Sequence, residues 1–375
     1  MIANMRSIRA AITVFWITGI TSCAFSQTKT VSREVMKRVY EEVKTPYKYG
    51  LIMVPPDPSL KFDCPTVWRK GKSWHMTYIV YDGRGYETWL AESKDLLNWE
   101  HKGKILSFSD TADWDNNQKA GYNALQDFKW GGSYKLRKYD GKYWMSYFGG
   151  NTRGYERGLL SIGMAYTEKD PTVVHEWRRL EAPVLKSTDP DARWYDNSVM
   201  YKSSVIWDKT KKTGHPFVMY YNARGDSVNP GRGAERIAMA VSDDMIHWKR
   251  YGAEPLINHH VGISGDAVIQ KIGDVYVMFY FGAFWKDRKS SAFNRFACSY
   301  DLVTWTEWDG EDLIKPSEPY DELFAHKSFV VKHRGVVYHF YCAVNENHDR
   351  GIAVAASKDM GRSGKVFNSK LENEQ

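Results

Sequence analysis

Stretches in which hydrophobic and polar residues alternate recur along the chain, and each follows a turn that contains glycine or proline. Alternation with a period of two residues is typical of a β-strand that buries one face. These stretches are also rich in aromatic residues, which favour strands. Five such segments, each predicted to be a turn followed by a strand, lie at 71–78, 141–147, 216–221, 273–280 and 335–341.

A second motif consists of a serine, an aspartate two positions later and a tryptophan four positions after that. Full copies cover 93–99, 242–248 and 299–305, and weaker copies lie at 167–170 and 357–360. Serine and aspartate side chains hydrogen-bond to nearby backbone groups, and the tryptophan packs back onto the sheet. Each copy is therefore predicted to be a turn in which the aspartate is structural, as at Asp95, Asp244 and Asp301.

The two motifs together divide the chain into five units. The aspartates of successive turns are separated by 75, 74, 57 and 58 residues, and each unit contains four predicted strands. Five four-stranded antiparallel units predict an all-β fold, a five-bladed β-propeller over residues 48–375. A β-sandwich or a row of small β domains is the alternative, but it does not explain why one unit repeats.

One segment before the repeats has a helical pattern. Val35, Val39 and Val43 recur every four residues after Ser32, a residue type that caps helices. We therefore expect a short N-terminal helical extension, over 32–42 within residues 27–47, that packs on the outside of the propeller.

The first 26 residues have the pattern of a secretory signal peptide. Arg6 and Arg9 precede an apolar stretch, and small residues follow it. The apolar stretch is too short to cross a bilayer as a helix. We therefore expect the segment to be removed and the protein to be exported.

Two cleavage sites compete within this segment. Residues 24–26 resemble a signal-peptidase site, whereas 20–23 resemble a bacterial lipobox that would place a lipid on Cys23. The expected location is therefore the periplasm of a bacterium or, as a lipoprotein, its outer membrane. Contact with a membrane is expected only through such a lipid.

Composition narrows the class of protein. The 375 residues include 15 Trp, 24 Tyr and 16 Phe, enough to build a sizeable core, which excludes a disordered or fibrous chain. The formal net charge is +7, but the basic residues are scattered, so nucleic acid is not an expected partner. A small positive surplus also suits an oligosaccharide that carries carboxylate or sulfate groups.

The cysteines do not indicate a disulfide framework. The chain has Cys23, Cys64, Cys298 and Cys342, and an odd number remains if Cys23 is lipidated or removed. No Cys-x-x-Cys or His-Glu-x-x-His spacing occurs in the sequence. No metal or other cofactor is therefore predicted.

Polar residues stand at the starts of the strands expected to line the propeller channel. Three of these starts carry an aspartate, namely Asp63, Asp196 and Asp266, and the last carries His326 and Lys327. Because the starts would converge on one mouth of the channel, we predict a carbohydrate-binding pocket there. The five starts are 62–68, 130–134, 194–198, 264–268 and 325–329.

Between residues 48 and 360 the chain resembles the five-bladed propeller glycosidases, which include glycoside hydrolase families 43, 32, 62, 117 and 130. The resemblance depends on the Asp-x-Pro sequence at Asp63, on the repeated turns and on the aspartates of the first, third and fourth units. It implies that Asp63 is the general base, that Asp196 orients the acid, and that Asp266 lies nearest the position of the general acid.

The chain departs from family 43 at the acid position. That family usually has Glu-Gly-Pro there, whereas this chain has Gly265-Asp266-Ala267. His326 is therefore a second candidate for the acid, because an imidazole can also protonate a leaving group. The strand of the third unit has an alternative start too, at 201–206, which would place Asp196 in a loop.

Further residues are candidates for binding substrate. Aromatic rings stack on sugar faces, and cationic side chains bind carboxylate or sulfate groups, although core packing and solvated surface are competing interpretations. The aromatic candidates are Trp68, Trp130, Trp194, Trp285 and Phe284; the cationic candidates are Arg236, Lys327 and Arg350.

These observations favour an exo-acting, inverting glycoside hydrolase that removes a terminal sugar from fragments of plant or algal polysaccharide. The resemblance suggests an α-L-arabinofuranoside or a related sugar. Two alternatives remain, a glycoside phosphorylase like those of family 130 and a carbohydrate-binding propeller without activity.

Overall fold

The computed structural model describes residues 30–225 and 234–368, and within them the chain forms 20 β-strands, one α-helix and one short 3-10 helix. The predicted signal peptide and its two cleavage sites lie outside these residues. The helix α1 spans Arg33–Val43, the strand β1 spans Tyr47–Met53, and the 3-10 helix spans Val174–Glu176.

Antiparallel pairing arranges the strands in five groups of four. The first group contains β2 (Lys61–Lys70), β3 (Ser73–Tyr81), β4 (Tyr86–Ser93) and β5 (Trp99–Leu106); the second contains β6 (Gln118–Asn123), β7 (Tyr143–Gly150), β8 (Ser161–Thr167) and β9 (Arg178–Arg179). The third contains β10 (Val199–Trp207), β11 (Phe217–Arg224), β12 (Glu235–Ser242) and β13 (Trp248–Arg250). The fourth contains β14 (Ile263–Ile272), β15 (Val275–Trp285), β16 (Arg288–Ser299) and β17 (Thr306–Glu307). The fifth contains β18 (Phe324–His333), β19 (Val336–Val344), β20 (Arg350–Ala356) and β1.

The fifth group combines both ends of the chain. Strand β1 pairs antiparallel with β20, so that Tyr47 lies opposite Ala356 and Met53 lies opposite Ile352. Single parallel pairs, Glu235 with Ile263 and Ala292 with Phe324, connect the last three groups into one sheet.

Hydrophobic clusters lie between neighbouring groups. One joins the second group to the third, another the third to the fourth, and a third the fourth to the fifth. A further cluster packs Val67 and Met76 of the first group with Phe329 and Phe340 of the fifth. The fold is thus nearly all-β, as predicted, and the first and last groups are packed neighbours.

The predicted N-terminal helix is present as α1. The hydroxyl of Ser32 accepts a hydrogen bond from the backbone N–H of Val35, and the helix buries Met36, Val39 and Val43. This buried stripe packs on the cluster between the fourth and fifth groups. Within the described residues, no helix has the length and hydrophobicity needed to cross a membrane.

The repeated turns have the structure that the motif predicts. In the first copy, the Asp95 carboxylate accepts hydrogen bonds from the backbone N–H groups of Leu97 and Asn98, and the Trp99 indole donates to the carbonyl of Leu96. The same bonds recur in the copies at 242–248 and 299–305. The buried apolar residue after each aspartate has a left-handed backbone, with φ of 72°, 69° and 72° at Leu96, Met245 and Leu302. The side-chain hydrogen bonds offset the cost of that conformation.

We expect the Asp301→Ala variant to lower the free energy of unfolding by about 1 to 2 kcal/mol, because two backbone N–H groups lose their acceptor. Burial opposes ionisation of Asp301, but hydrogen bonds from Thr304 and Val303 outweigh it and lower its pKa. A group whose pKa is lowered by folding stabilises the protein above its unfolded pKa, so the difference between variant and wild type should shrink as the pH falls.

Denaturant unfolding at neutral and acidic pH measures this difference. Asp309→Ala is the matched control, because Asp309 is exposed and its ion pair is with Arg33, which is exposed too. An equal loss of stability in both variants would contradict the role assigned to the turn.

Candidate active site

A cavity of about 230 Å³ lies where the first strands of the third, fourth and fifth groups begin. Its lining contains both charged and apolar side chains. The charged residues are Glu156, Lys202, Glu235, Asp266, Lys327 and Arg350; among the apolar residues are Ile263, Phe281, Ala283, Phe284, Ala292 and Phe324.

Irregular strand pairing places several of these side chains. Strands β2, β14 and β18 each shift register at one position, just after Asp63, Gly265 and His326. The next residue in each strand has a left-handed backbone, with φ of 48° at Cys64, 59° at Asp266 and 63° at Lys327. Such β-bulges re-aim side chains. Asp266 and Lys327 therefore correspond to Cys64, one residue beyond Asp63.

Asp63 is buried beside the cavity and holds two of its cations. One carboxylate oxygen accepts hydrogen bonds from Lys327 Nζ at 2.7 Å and Arg350 Nη1 at 2.6 Å. The other oxygen accepts the backbone N–H of Cys64. Burial opposes ionisation, but the charges of Lys327 and Arg350 outweigh it and hold the pKa of Asp63 well below its usual range. Asp63 is thus a permanent anion whose negative charge is already matched.

Two glutamates that line the cavity have raised pKa values. Burial and the negative charge of Glu156 raise the pKa of Glu235 to about 8 from an ordinary value of 4.5. Burial also raises the pKa of Glu156, against the opposing charges of Lys327 and Arg350. Two carboxyl groups that interact share protons, so one of them stays protonated where an isolated glutamate would not.

Asp266 also lines the cavity and contacts Asn222 and Lys202. Its carboxylate accepts a hydrogen bond from Asn222 Nδ2 at 2.8 Å, while its backbone N–H donates to Asn222 Oδ1. Lys202 Nζ lies 3.5 Å from Asp266 and 5.2 Å from the centre of the Tyr122 ring. The Lys202 ammonium is buried and makes no hydrogen bond to any described residue. Its N–H groups are therefore available to a bound molecule.

Among solved structures, two are more than half identical to this chain. The first, named as a complex of BT0996 with RGII, is 55% identical and the match covers 90% of this chain and 99% of that one, with a TM-score of 0.87. The second, "Glycoside hydrolase", is 54% identical, with the same coverage and the same TM-score. This protein belongs to the glycoside hydrolases.

A more distant structure shares the fold of this glycoside hydrolase. A thermostable family-43 glycoside hydrolase is 14% identical, matches 84% of this chain and 97% of its own, and has a TM-score of 0.57. The resemblance to the propeller glycosidases is thus confirmed. No family model and no curated protein matches the chain.

His326 lines the cavity of the glycoside hydrolase as a neutral imidazole. Burial and the positive charge of Lys327 lower its pKa to about 3. Its Nδ1 lies 3.2 Å from the carbonyl oxygen of Cys342. Because a carbonyl oxygen can only accept, Nδ1 carries the proton and donates a hydrogen bond to that oxygen. A histidine in this state has no second proton to give at neutral pH.

Asp196 lies outside the cavity. Strand β10 begins at Val199, so the start predicted at 194–198 is wrong, the strand runs through the alternative segment 201–206, and Asp196 falls in the preceding loop. There its carboxylate accepts hydrogen bonds from Arg250 Nε at 2.6 Å and from the Tyr221 hydroxyl at 2.7 Å. Both side chains of the Asp196 and Arg250 pair are fully buried.

Five other predicted binding residues do not line the cavity. Trp68 stacks on His75 in the core, and the Trp130 indole donates a hydrogen bond to Glu42 of α1. The Arg236 guanidinium lies 4.9 Å from the centre of the exposed Trp194 ring. The Trp285 indole is anchored to the carbonyl of Ile263. Of the predicted residues, Asp266, Phe284, His326, Lys327 and Arg350 therefore line the cavity, and Asp63 is buried beside it.

Asp63, His326 and Cys342 present ligand atoms within 4.8 Å of one another, which is close enough to bind a metal ion. The carboxylate of Asp63, however, already bonds to Lys327 and Arg350. The two fixed positive charges at that carboxylate disfavour the binding of a metal cation there. Cys64, Cys298 and Cys342 are buried thiols without disulfide bonds.

Glu156 and Glu235 are not among the predicted catalytic residues, because those candidates stand at the starts of the first strands and these two glutamates do not. Glu156 lies in the loop between β7 and β8, and Glu235 is the first residue of β12. The second strand of a four-stranded unit ends, and the third begins, at the same mouth as the start of the first. Carboxylates at those points were the signal that could have identified both residues.

We expect the Asp196→Asn variant to lower the free energy of unfolding by about 3 kcal/mol, because it leaves the buried Arg250 guanidinium without its main counter-charge. Turnover by the molecules that remain folded should stay within about twofold of wild type, since Asp196 lies outside the cavity. Denaturant unfolding and kinetics on the same preparation measure both quantities.

Asp191→Asn is the matched control for this variant. Asp191 pairs with the same arginine but its side chain is half exposed, so its loss should cost less than about 1 kcal/mol. Loss of turnover in Asp196→Asn without loss of stability would instead support the orienting role that the resemblance implies.

Proposed function

We propose that this glycoside hydrolase removes a terminal sugar from an oligosaccharide, with Glu235 as the general acid and Glu156 as the general base. The observation that carries the proposal is a pair of interacting glutamates with raised pKa values that line the same cavity. Glycosidic bond cleavage requires one protonated and one ionised carboxyl group. An interacting pair provides both near neutral pH.

The surrounding charges favour this assignment over its reverse. The positive charges of Lys327 and Arg350 stabilise ionised Glu156, against the negative charges of Asp63 and Asp266. Glu235 faces the negative charges of Glu156 and Asp266, against the positive charges of Arg224 and Lys327, and its pKa is raised to about 8. The shared proton therefore resides on Glu235, which protonates the leaving oxygen, while ionised Glu156 removes a proton from the attacking water.

Asp63 then has a different task from the general base that the resemblance implies. Its carboxylate is matched by two cations and its pKa is lowered, so it is a weak base. We propose that Asp63 is a positioning residue that holds Lys327 and Arg350 in the cavity wall. Asp266 similarly holds Lys202 in place of acting as the acid.

We infer that the five strand groups close into a five-bladed propeller whose channel ends in this cavity. The hydrophobic cluster between the first and fifth groups supports the closure. The ion pairs of Asp63 with Lys327 and Arg350 would block the inner end of the cavity, which suits the removal of a terminal sugar. We propose an exo mode of action for this reason.

The substrate proposal begins from the relative that is named as a complex with RGII. At 55% identity, an RGII oligosaccharide is the first substrate to test, with α-L-arabinofuranosides as the second. The free N–H groups of Lys202, and the nearby cations Lys327 and Arg350, suit a sugar oxygen that is either neutral or part of a carboxylate.

We propose the cellular location on the sequence alone. The pattern of the first 26 residues supports export. The choice between a soluble periplasmic protein and an outer-membrane lipoprotein anchored through Cys23 is decided by mass spectrometry of the mature N-terminus.

We expect Glu235→Gln and Glu156→Gln each to lower turnover of the oligosaccharide by about a hundredfold or more. Glu235→Gln should keep much more activity on an aryl glycoside with a good leaving group, because that leaving group needs no proton. In wild type, activity should fall as the pH rises through the pKa of Glu235, about 8, where the acid loses its proton. This alkaline limb should be absent from Glu235→Gln on the aryl glycoside.

Glu87→Gln is the matched control, since Glu87 is a buried glutamate outside the cavity that pairs with Lys104. Its kinetics should follow wild type. If Asp266→Asn shows the selective retention on aryl glycosides and Glu235→Gln does not, the acid assignment is wrong.

The proposed mechanism is inverting, so the first product detected by NMR should have the opposite anomeric configuration to the substrate. The cations Lys327 and Arg350 also suit phosphate, which makes a phosphorylase the second candidate function. Reactions with added inorganic phosphate should release free sugar at an unchanged rate. A sugar phosphate among the products would favour the phosphorylase.

A further inference from the structure

Phe284 stands at the cavity in an unfavourable conformation. Its side chain is 39% exposed, although it is a large apolar residue, and its backbone has φ of 56°. A bulky residue rarely adopts a left-handed backbone, and such strain persists where the surrounding structure enforces it. Neither exposure nor strain benefits the folded state.

Trp285 fixes the direction of the Phe284 ring. The pairing of β15 with β16 shifts register between Ala283 and Trp285, so Phe284 forms a bulge. The Trp285 indole donates a hydrogen bond to the carbonyl of Ile263 at 2.8 Å and stacks on His259 at 3.5 Å. Its ring also covers Gly282, where a Cβ atom would lie 2.5 Å from the indole. Because the Trp285 ring is held in the core, the neighbouring Phe284 ring points the other way, into the cavity.

Gly262 connects this bulge to Glu235. A Cβ atom on Gly262 would lie 2.2 Å from the carbonyl oxygen of Ala283 and 2.6 Å from the carbonyl carbon of Phe284. The carbonyl of Gly262 accepts the backbone N–H of Glu235 at 2.9 Å. The backbone of Phe284 and that of Glu235 therefore contact the same glycine from two sides.

We propose that Phe284 is a specificity-determining residue that packs against the sugar on the leaving-group side of the cleaved bond. The proposal rests on the assignment of Glu235 as the general acid. The acid must reach the leaving oxygen, so the leaving-group sugar lies beside Glu235, where the Gly262 contact places Phe284.

The apolar side chains around Phe284 match such a sugar. Phe284 contacts the Phe324 ring edge to face at 5.6 Å, and Ile263, Phe281 and Ala292 continue the apolar surface. These side chains offer no hydrogen bonds, whereas the C–H face of a sugar ring, or a methyl group in place of a hydroxyl, packs well on aromatic rings. The terminal sugar needs polar partners, which the charged residues that line the cavity supply.

The test compares kcat/KM on two substrates, an RGII oligosaccharide and the methyl glycoside of the terminal sugar released from it. The methyl glycoside has no leaving-group sugar. Phe284→Ala should lower kcat/KM on the oligosaccharide by about tenfold or more and change it less than twofold on the methyl glycoside. Phe284→Trp should keep kcat/KM on the oligosaccharide close to that of wild type, because it keeps an aromatic ring at this position. Tyr47→Ala is the control, since Tyr47 is 48% exposed and lies outside the cavity.

The backbone provides a second readout. Phe284→Gly should raise the melting temperature above that of Phe284→Ala, because glycine adopts a positive φ without strain, yet show the same loss on the oligosaccharide. Equal losses on both substrates, or no loss on the oligosaccharide, would overturn the role of Phe284. Failure of the acid assignment would appear separately, as full activity in Glu235→Gln.

Discussion

Buried ion pairs beside the cavity connect the first and fifth strand groups. Asp63 belongs to the first strand group, whereas Lys327 and Arg350 belong to the fifth, so the carboxylate joins groups that are far apart in sequence. Removing one partner of a buried pair leaves an unmatched charge, which typically costs about 3 to 5 kcal/mol. The cavity wall and the seam between these groups therefore depend on the same carboxylate. A change at Asp63 would affect folding and substrate binding together.

In the proposed mechanism, the same cations bias how the two glutamates share their protons. The charges of Lys327 and Arg350 both oppose protonation of Glu156, whereas the positive charge that most opposes protonation of Glu235 is that of Arg224. The assignment of acid and base thus follows from which strand carries which cation, and less from the glutamates themselves. In the proposed mechanism the aspartates that stand out in the sequence are positioning groups, because Asp63 contacts Lys327 and Arg350 and Asp266 lies beside Lys202.

The sequence predicts features that depend on local periodicity. The turns at Asp95, Asp244 and Asp301, the capped helix after Ser32 and the four-stranded units all have side-chain patterns that repeat or alternate, and all are present. It predicts the location of the site through polar residues at strand starts, as for His326 and Lys327. It does not predict register. The bulges shift Asp63 against Asp266 by one position, and the late start of β10 leaves Asp196 in a loop. Glu156 was missed for a related reason, because the path of a loop depends on tertiary contacts that no period encodes.

The pairing of β1 with β20 has a consequence for the order of folding. Strand β1 is synthesised before the other strands of the five groups and its partner β20 is synthesised after them, so the fifth group cannot form until β20 has been made. The contact that completes this group closes a loop that contains all the other groups, which is slow and entropically costly. Until then the first group has no neighbour across the seam, and the hydrophobic surfaces that will meet there remain uncovered. A nascent chain of this protein therefore exposes apolar surface until β20 has been synthesised, which makes it a substrate for holdase chaperones during that time.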